Sequence, residues 1–280
     1  MANEISNYLG KNVYVGIDVH KKNYAVSVIC DGVVVIKFSQ IAEPEQLAVA
    51  LKKWFAEASL FSVYEAGFSG FKLHRTLVSH GIRNIVINPA SIEVAANDRV
   101  KTDKKDSKKL AEHLAGKRLV GIYVPTEEEE DRRAITRTRD QLVRLKTRVA
   151  NQIKGKLNHH GLMKPTDDRL ISKKYLRSIL TMDLSPFLKI AFDVLIKSWL
   201  DLNDKIKTLE AAMAQQAEAD SAIESVYKSV PGVGDVSARV LANELGNIAK
   251  RFNNQKAIYK YTGLTPVSYT HLRAHETVLD

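Results

Sequence analysis

The feature that most constrains this chain is a run of apolar residues in its second half. Leu188, Phe192, Leu195, Trp199, Leu202, Ile206, Leu209 and Met213 recur at alternating steps of four and three. That period keeps one stripe of a long helix turned toward a partner through roughly four heptads. A seam of this length needs a second helix to cover it, and the segment from Glu127 to about Leu157 is the candidate. There Ile135, Leu142, Leu145 and Val149 keep a looser spacing, and the opening acids Glu127 to Asp131 suit a helix N-terminus. Joined by a basic segment (158–183), the two predict an antiparallel coiled-coil hairpin. The same pattern also serves a plain helix bundle or pairing between two chains.

The first part of the chain has another rhythm. Val13 to Ile17 is a β-rich run that ends at Asp18, and runs near 24–30 and 33–38 flank Asp31-Gly32, a favoured two-residue hairpin turn. Pro44 to Ala58 predicts an amphipathic helix with Leu47, Leu51, Trp54 and Phe55 on one face. Leu60 to Tyr64 predicts a buried strand leading to Glu65. A helix over Phe71 to Ser79 closes at Gly81, Ile85 to Ile87 is a further strand, and a helix spans Asp106 to Ala115. Alternating strands and helices indicate an α/β domain. The expected organisation is residues 1–125 as that domain, 126–217 as the helical region, 218–266 as a small, mainly α region, and 267–280 as a tail.

A net charge of +10 over 280 residues suggests a polyanionic partner, nucleic acid above all, although a basic surface also serves solubility. The single cysteine, Cys30, excludes an internal disulfide and a multi-cysteine zinc site, and its apolar neighbours predict a buried structural thiol. With no signal-peptide pattern and no long apolar run, the expectation is a cytoplasmic protein without membrane contact.

Four acids stand where phosphodiester chemistry would use them. Asp18 and Glu65 each end a predicted strand, so their carboxylates would project from a rigid sheet. Asp103 and Asp106 are three apart at a helix start, which places both on one face. Hard oxygen ligands of this kind hold Mg²⁺, and two-metal sites share carboxylates. Lys101, Lys104 and Lys105 would favour the ionised acids and could meet phosphates. Taken singly, each acid is more often a turn or cap residue, and their order and context together carry the weight.

The order of these motifs carries a resemblance. Val15-Gly16-Ile17-Asp18-Val19-His20-Lys21, Tyr64-Glu65-Ala66, Asn88-Pro89 and Lys101-Thr102-Asp103-Lys104-Lys105-Asp106-Ser107 closely resemble the DEDD insertion-sequence transposases of the one-ten family. The resemblance runs from residue 12 to about 266. It implies a RuvC-like, RNase H-like nuclease domain that binds one or two Mg²⁺ ions through Asp18, Glu65, Asp103 and Asp106. It also implies DNA and a structured guide RNA as partners and a bacterial or archaeal host; the long seam, if it does not close within one chain, favours a dimer or tetramer. His20 and Lys21 match family positions beside the first acid, as phosphate contacts or as structural residues.

Further along, Arg132, Arg133, Arg137, Arg139, Arg144, Lys146, Arg148, Lys154 and Lys156 load one helix with positive charge, and Asp140 is the one acid among them. Backbone recognition of nucleic acid accounts for this better than a solvated surface. Ser229-Val230-Pro231-Gly232-Val233-Gly234 followed by Ala238, Leu241 and Leu245 looks like a helix–hairpin–helix element. There Gly232 and Gly234 would let amide groups approach a phosphate. With Tyr261 to Pro266, this segment resembles the family's C-terminal transposase domain.

One departure matters. The family's expected serine nucleophile lies in a Ser-Gly context just after a Gly-Leu-x-Pro segment. Here Pro266 is followed by Val267-Ser268-Tyr269-Thr270-His271, with no Ser-Gly pair through Asp280. Ser268 lacks the context, and His271, His275 and Glu276 do not make a zinc site without further ligands. The tail itself is expected to be non-native sequence. The leading expectation is thus a transposase or recombinase that lacks its serine. A structure-specific nuclease using metal-activated water is the alternative, and a non-catalytic nucleic-acid-binding protein is the third.

Overall fold

A computed structural model describes residues 8–91, 103–163, 171–246 and 248–264. The chain divides into two compact units, Met1–Val124 and Pro125–Asp280.

The first unit is built on a five-stranded sheet of β1 (Asn12–Val19), β2 (Asn23–Cys30), β3 (Val33–Ile41), β4 (Ser59–Glu65) and β5 (Arg83–Ile87), in the order β3-β2-β1-β4-β5. The first three strands form an antiparallel meander, and β4 and β5 run parallel to β1. The expected Asp31-Gly32 turn is present, with φ of 50° and 78°, as a tight hairpin between twisted strands requires. Helices α1 (Pro44–Trp54) and α2 (Lys72–Ser79) cover one face. Leu47, Leu51, Leu73 and Leu77 pack there on Val13, Val15, Ile17, Val26, Val28 and Tyr64.

Helix α1 ends earlier than the sequence suggests. Phe55 already leaves the helical conformation, and Glu57 adopts a φ of 64°. Phe55 is buried, but Trp54 turns to the rim, where it packs edge-on against Phe38. Cys30 is buried in the core, and burial pushes its thiol above the ordinary range. It is a packing residue.

Helix α3 (Asp103–Ala115) lies on the other face and starts one turn before the expected Asp106. Gly16 explains how it fits. A Cβ on Gly16 would lie 2.0 Å from the Ser107 carbonyl oxygen and 2.5 Å from the Ala111 amide nitrogen, so the helix backbone rests directly on the strand. Beside this contact the buried hydroxyls of Ser27 and Ser107 meet at 2.9 Å, and Ser27 pairs in register with Gly16.

In the second unit the four acids Glu127 to Glu130 open α4 (Glu127–His159), with Thr126 and Glu129 forming a reciprocal capping box. After α5 (Lys173–Leu180) comes α6 (Pro186–Ala219), which carries the four-three seam. All eight seam residues are buried or half-buried. Helices α4 and α6 pack side by side in antiparallel sense: Arg139 meets Glu210, Lys146 meets Asn203, and Ile153 and Leu157 share a core with Phe192, Ile196 and Trp199. The seam is covered within the chain. Helix α5 was not expected in the basic connector; its Tyr175, Leu176 and Ile179 plug that core.

The chain continues through α7 (Ser221–Lys228), α8 (Asp235–Leu245), α9 (Ile248–Arg251) and α10 (Gln255–Thr262). Helix α8 packs on α7, α4 and α6. Among the described residues, no helix is long and apolar enough to cross a membrane.

Candidate metal centre

Strand register decides where the first two acids lie. The last registered pair between β1 and β4 is Ile17 beside Tyr64. Asp18 and Glu65 follow one residue later on neighbouring parallel strands, whose backbones run about 4.8 Å apart. Side chains alternate along a strand, so Asp18 shares the face of Gly16, on which α3 rests. Glu65 shares the face of Val63, which packs with Leu110 of α3. Both acids are half-buried at the C-terminal edge of the sheet.

Helix α3 supplies the third side of this corner. Ser107 is fixed on the sheet by Gly16 and Ser27, and Asp106 precedes it, half-buried, in the first turns of the helix. Asp103 opens the helix, but its side chain lies outside the described residues, as do those of Lys104 and Lys105 and the whole of Lys101. Among the described residues, no three carboxylate, imidazole or thiol groups stand close enough to share one ion. What the fold brings together is Asp18 beside Glu65, with the Asp106 turn of α3 over the same face. That donor set is all hard oxygen, the chemistry Mg²⁺ takes.

His20 stands next to the corner, half-buried, its Nε2 3.1 Å from Asp18 Oδ2. Lys21 is exposed in the turn that follows β1. The residues that position α3 escaped the sequence reading. Gly16 two before Asp18, and Ser107 directly after Asp106, were the available signal: small residues beside acids mark a close backbone approach.

The arginines of α4 divide into two groups. Arg132 donates to Glu128 and to Asp220, each at 2.7 Å. Arg133 is buried and its Nε donates to the Asn243 carbonyl at 3.2 Å. Arg137 grips Glu244 with two 2.7 Å bonds, and those hydrogen bonds hold its guanidinium above its ordinary pKa. Arg139 pairs with Glu210. These four fasten α4 to α6, α7's cap and α8. Arg144 and Arg148 are exposed; among the described residues Arg144 makes the solvent-facing pair with Asp140 on its own helix. Gly232, at φ 83°, turns the chain between α7 and α8, and Gly234 caps α8. Ser268, His271, His275 and Glu276 lie outside the described residues.

Residues 15–161 match the transposase family model of the DEDD, IS110 type, and residues 224–270 match that of the transposase IS116/IS110/IS902 family. This chain belongs to the IS110 transposase family. The IS110-type match spans Asp18, Glu65, Asp103 and Asp106 together. Among relatives, the Sinorhizobium fredii protein y4rJ, named as a transposase, is 31% identical over 229 residues, 74% of this chain and 57% of that protein. The transposase for insertion sequence element IS1533 of Leptospira borgpetersenii is 34% identical over 139 residues, 47% of this chain and 39% of its own. The transposase for IS1111A of Coxiella burnetii is 26% identical over 196 residues, 69% of this chain and 53% of its own. The chain therefore spans about half the length of these curated relatives.

Proposed function

We propose that this chain carries the metal-binding part of an insertion-sequence transposase, cutting and exchanging DNA strands in a RuvC-like, RNase H-like first unit. The observation that carries the reading is the placement of Asp18 and Glu65 at matched ends of neighbouring parallel strands, on the face where α3 presents Asp106. The strand order, an antiparallel meander extended by two parallel strands, supports the fold assignment. Asp18, Glu65, Asp103 and Asp106 would hold one or two Mg²⁺ ions. When bound, the ion neutralises charge on the scissile phosphate and activates the attacking oxygen.

The chain's own residues do the rest. The sheet holds two carboxylates rigidly, and the Gly16–Ser27–Ser107 contact fixes the helix that brings the others. His20 Nε2 stands 3.1 Å from the Asp18 carboxylate, and exposed Lys21 would meet a neighbouring phosphate. Exposed Arg144 and Arg148 suit the backbone of DNA or a structured guide RNA, whereas Arg132, Arg133, Arg137 and Arg139 serve the fold. The α7–α8 turn at Gly232 and Gly234 fits a helix–hairpin–helix contact with DNA. The α6 seam, on which the expectation of a dimer or tetramer rests, is used within the chain. Action in the cytoplasm of a bacterium or archaeon rests on the family resemblance.

The test is cleavage of nicked and branched DNA by the purified chain in Mg²⁺. Asp18→Asn and Glu65→Gln should each lower the rate more than about hundredfold, beyond what even outer residues of a metal site contribute. Mg²⁺ should also raise the melting midpoint of the parent chain and not of the variants, since a ligand of the native state stabilises it by mass action. Metal-independent behaviour in both assays would leave a non-catalytic binding protein.

A second reading is hydrolysis by metal-activated water at the same acids. A covalent protein–DNA adduct in the same assay supports a serine nucleophile, and simple hydrolysis supports water.

A further inference from the structure

The face that carries Asp18 and Glu65 has a second feature at its opposite end, where the parallel strands begin. Tyr14 on β1 pairs in register with Phe61 on β4, and Phe61 pairs with Arg83 on β5. The Tyr14 and Phe61 rings stack with centroids 5.4 Å apart and 23° between their planes. The Arg83 guanidinium lies over the Phe61 ring, 5.2 Å from its centroid. Helix α3 covers the middle of the face at Gly16, Val63 and Ile85. Beyond it both rings are half-exposed and Arg83 is exposed.

Charge around this row leans positive, although the exposed acid Glu57 stands at the same end of the sheet. The ion pairs of this end of the unit join Lys11 to Asp31 and Lys108 to Glu112; Arg83, Lys117 and Arg118 have no carboxylate partner among the described residues. Lys117 and Arg118 lie between Leu114 and Leu119, which pack against the same cluster of Val63, Ile87 and Leu110 as Ile85, two residues from Arg83 on the same face. Sheet packing alone would call for an apolar cover. A stacked aromatic pair that ends in an unpaired guanidinium, with two further uncompensated cations at its margin, instead combines base-stacking surface with attraction for phosphate. Every nucleobase has a π-face, and unpaired strands are bound through aromatic platforms in basic surroundings. A duplex hides those faces, and an acidic peptide would leave the rings unused.

We propose that Tyr14, Phe61 and Arg83 form a stacking platform for an unpaired stretch of nucleic acid. It lies roughly 13 Å along the sheet from the carboxylates, at the strand rise of about 3.3 Å per residue. The platform depends on the proposed function only for the choice of nucleic acid as ligand.

Fluorescence anisotropy in EDTA, where no cleavage occurs, tests it with labelled oligouridylate, oligothymidylate and a blunt duplex. The Tyr14→Leu/Phe61→Leu double variant keeps the apolar cover and should weaken binding of the single strands by roughly tenfold or more, leaving the duplex unchanged. Arg83→Gln should weaken it severalfold, and Phe61→Tyr, which keeps the ring, should bind as the parent does. Oligouridylate and oligothymidylate affected alike indicates recognition of bases; loss for one alone assigns the platform to RNA or to DNA. Unchanged single-strand affinity in the double variant, or equal losses for strand and duplex, overturns the proposal. If the double variant does not fold, photocrosslinking of bromouridine to the parent chain decides. Adducts on the peptides holding Tyr14 or Phe61 support the platform, and adducts elsewhere alone refute it. Cleavage assays with Asp18→Asn are independent of this result, so failure of the platform and failure of the metal site are distinguishable.

Discussion

In the sheet unit the buried polar side chains are neutral and satisfied in small groups. Ser27 meets Ser107, and Asn84 bridges Ser62 and His74 at 2.8 and 2.7 Å. In the helical unit most of them are charged. Arg239, 2% exposed, bonds Glu224 and reaches Asp220 at 3.0 Å, while Arg132 reaches the same Asp220 from α4. Asn243 completes the joint by donating to the Arg132 carbonyl and to Gln216. Neutral hydroxyls let the sheet close tightly on α3, and the Asn84 amide ties it to α2 on the opposite face, so the acids are held by packing. The helical unit holds α7 and α8 to its long hairpin by ionic latches, which require both partners: a buried pair contributes little net stability, yet breaking it is costly.

That contrast should break first at Arg239. Arg239→Ala leaves the Glu224 carboxylate buried without its partner and should destabilise by about 3–5 kcal/mol. Hydrogen exchange should show lost protection in α7 and α8 and unchanged protection in β1 and β4. Replacing both partners with apolar residues, Arg239→Met with Glu224→Leu, should recover most of the loss. Equal loss of protection in both units would contradict the separation.

In the sheet unit the corresponding weak point is steric. Gly16→Ala places a methyl against two backbone atoms of α3, so the helix must lift, at about 1–3 kcal/mol by urea denaturation. The sharper readout is functional: Mg²⁺ should no longer raise the melting midpoint, because Asp106 moves away from Asp18. A variant that folds and keeps its Mg²⁺ response would show that α3 is not the positioning element.

The smallest effect is expected at the exposed pair of Lys228 and Asp235, which joins the ends of α7 and α8 at 2.8 Å. Its hydrogen bond lowers the Asp235 pKa and raises that of Lys228. A depressed carboxylate contributes above its unfolded value, so the contribution is lost as the pH falls through the lowered folded value. Asp235→Asn should therefore change the melting midpoint slightly near neutrality and not at all in strong acid. A large change at neutral pH would mean that this pair, like Arg239, is part of the latch.

Much of the local structure was legible beforehand because it follows from short-range rules. Asp31-Gly32 specified its hairpin, the run of acids specified the start of α4, and the four-three seam specified α6. The boundaries that shifted have local causes as well. Trp54 went to the rim because α1 ended at Phe55, and α3 began at Asp103, where a lysine-rich segment offers no apolar period. Helix α5 was hidden because its anchors, Tyr175, Leu176 and Ile179, occupy barely two turns, too short for a periodic signal.

What the sequence determined by itself was therefore the inventory: a strand ending in Asp18, another ending in Glu65, two acids on one helix turn, a basic helix and a long seam, together with membership of a transposase family. What the tertiary structure decided was adjacency. Residues 18 and 65 become neighbours because β4 pairs with β1 in parallel and in step, a register fixed by which residues face each core. Arg133 and Arg148 look alike in sequence, yet one is buried against Asn243 and the other faces solvent. Side-chain type is written residue by residue, but the environment that decides whether a charge latches a fold or meets a ligand comes from distant segments folding together.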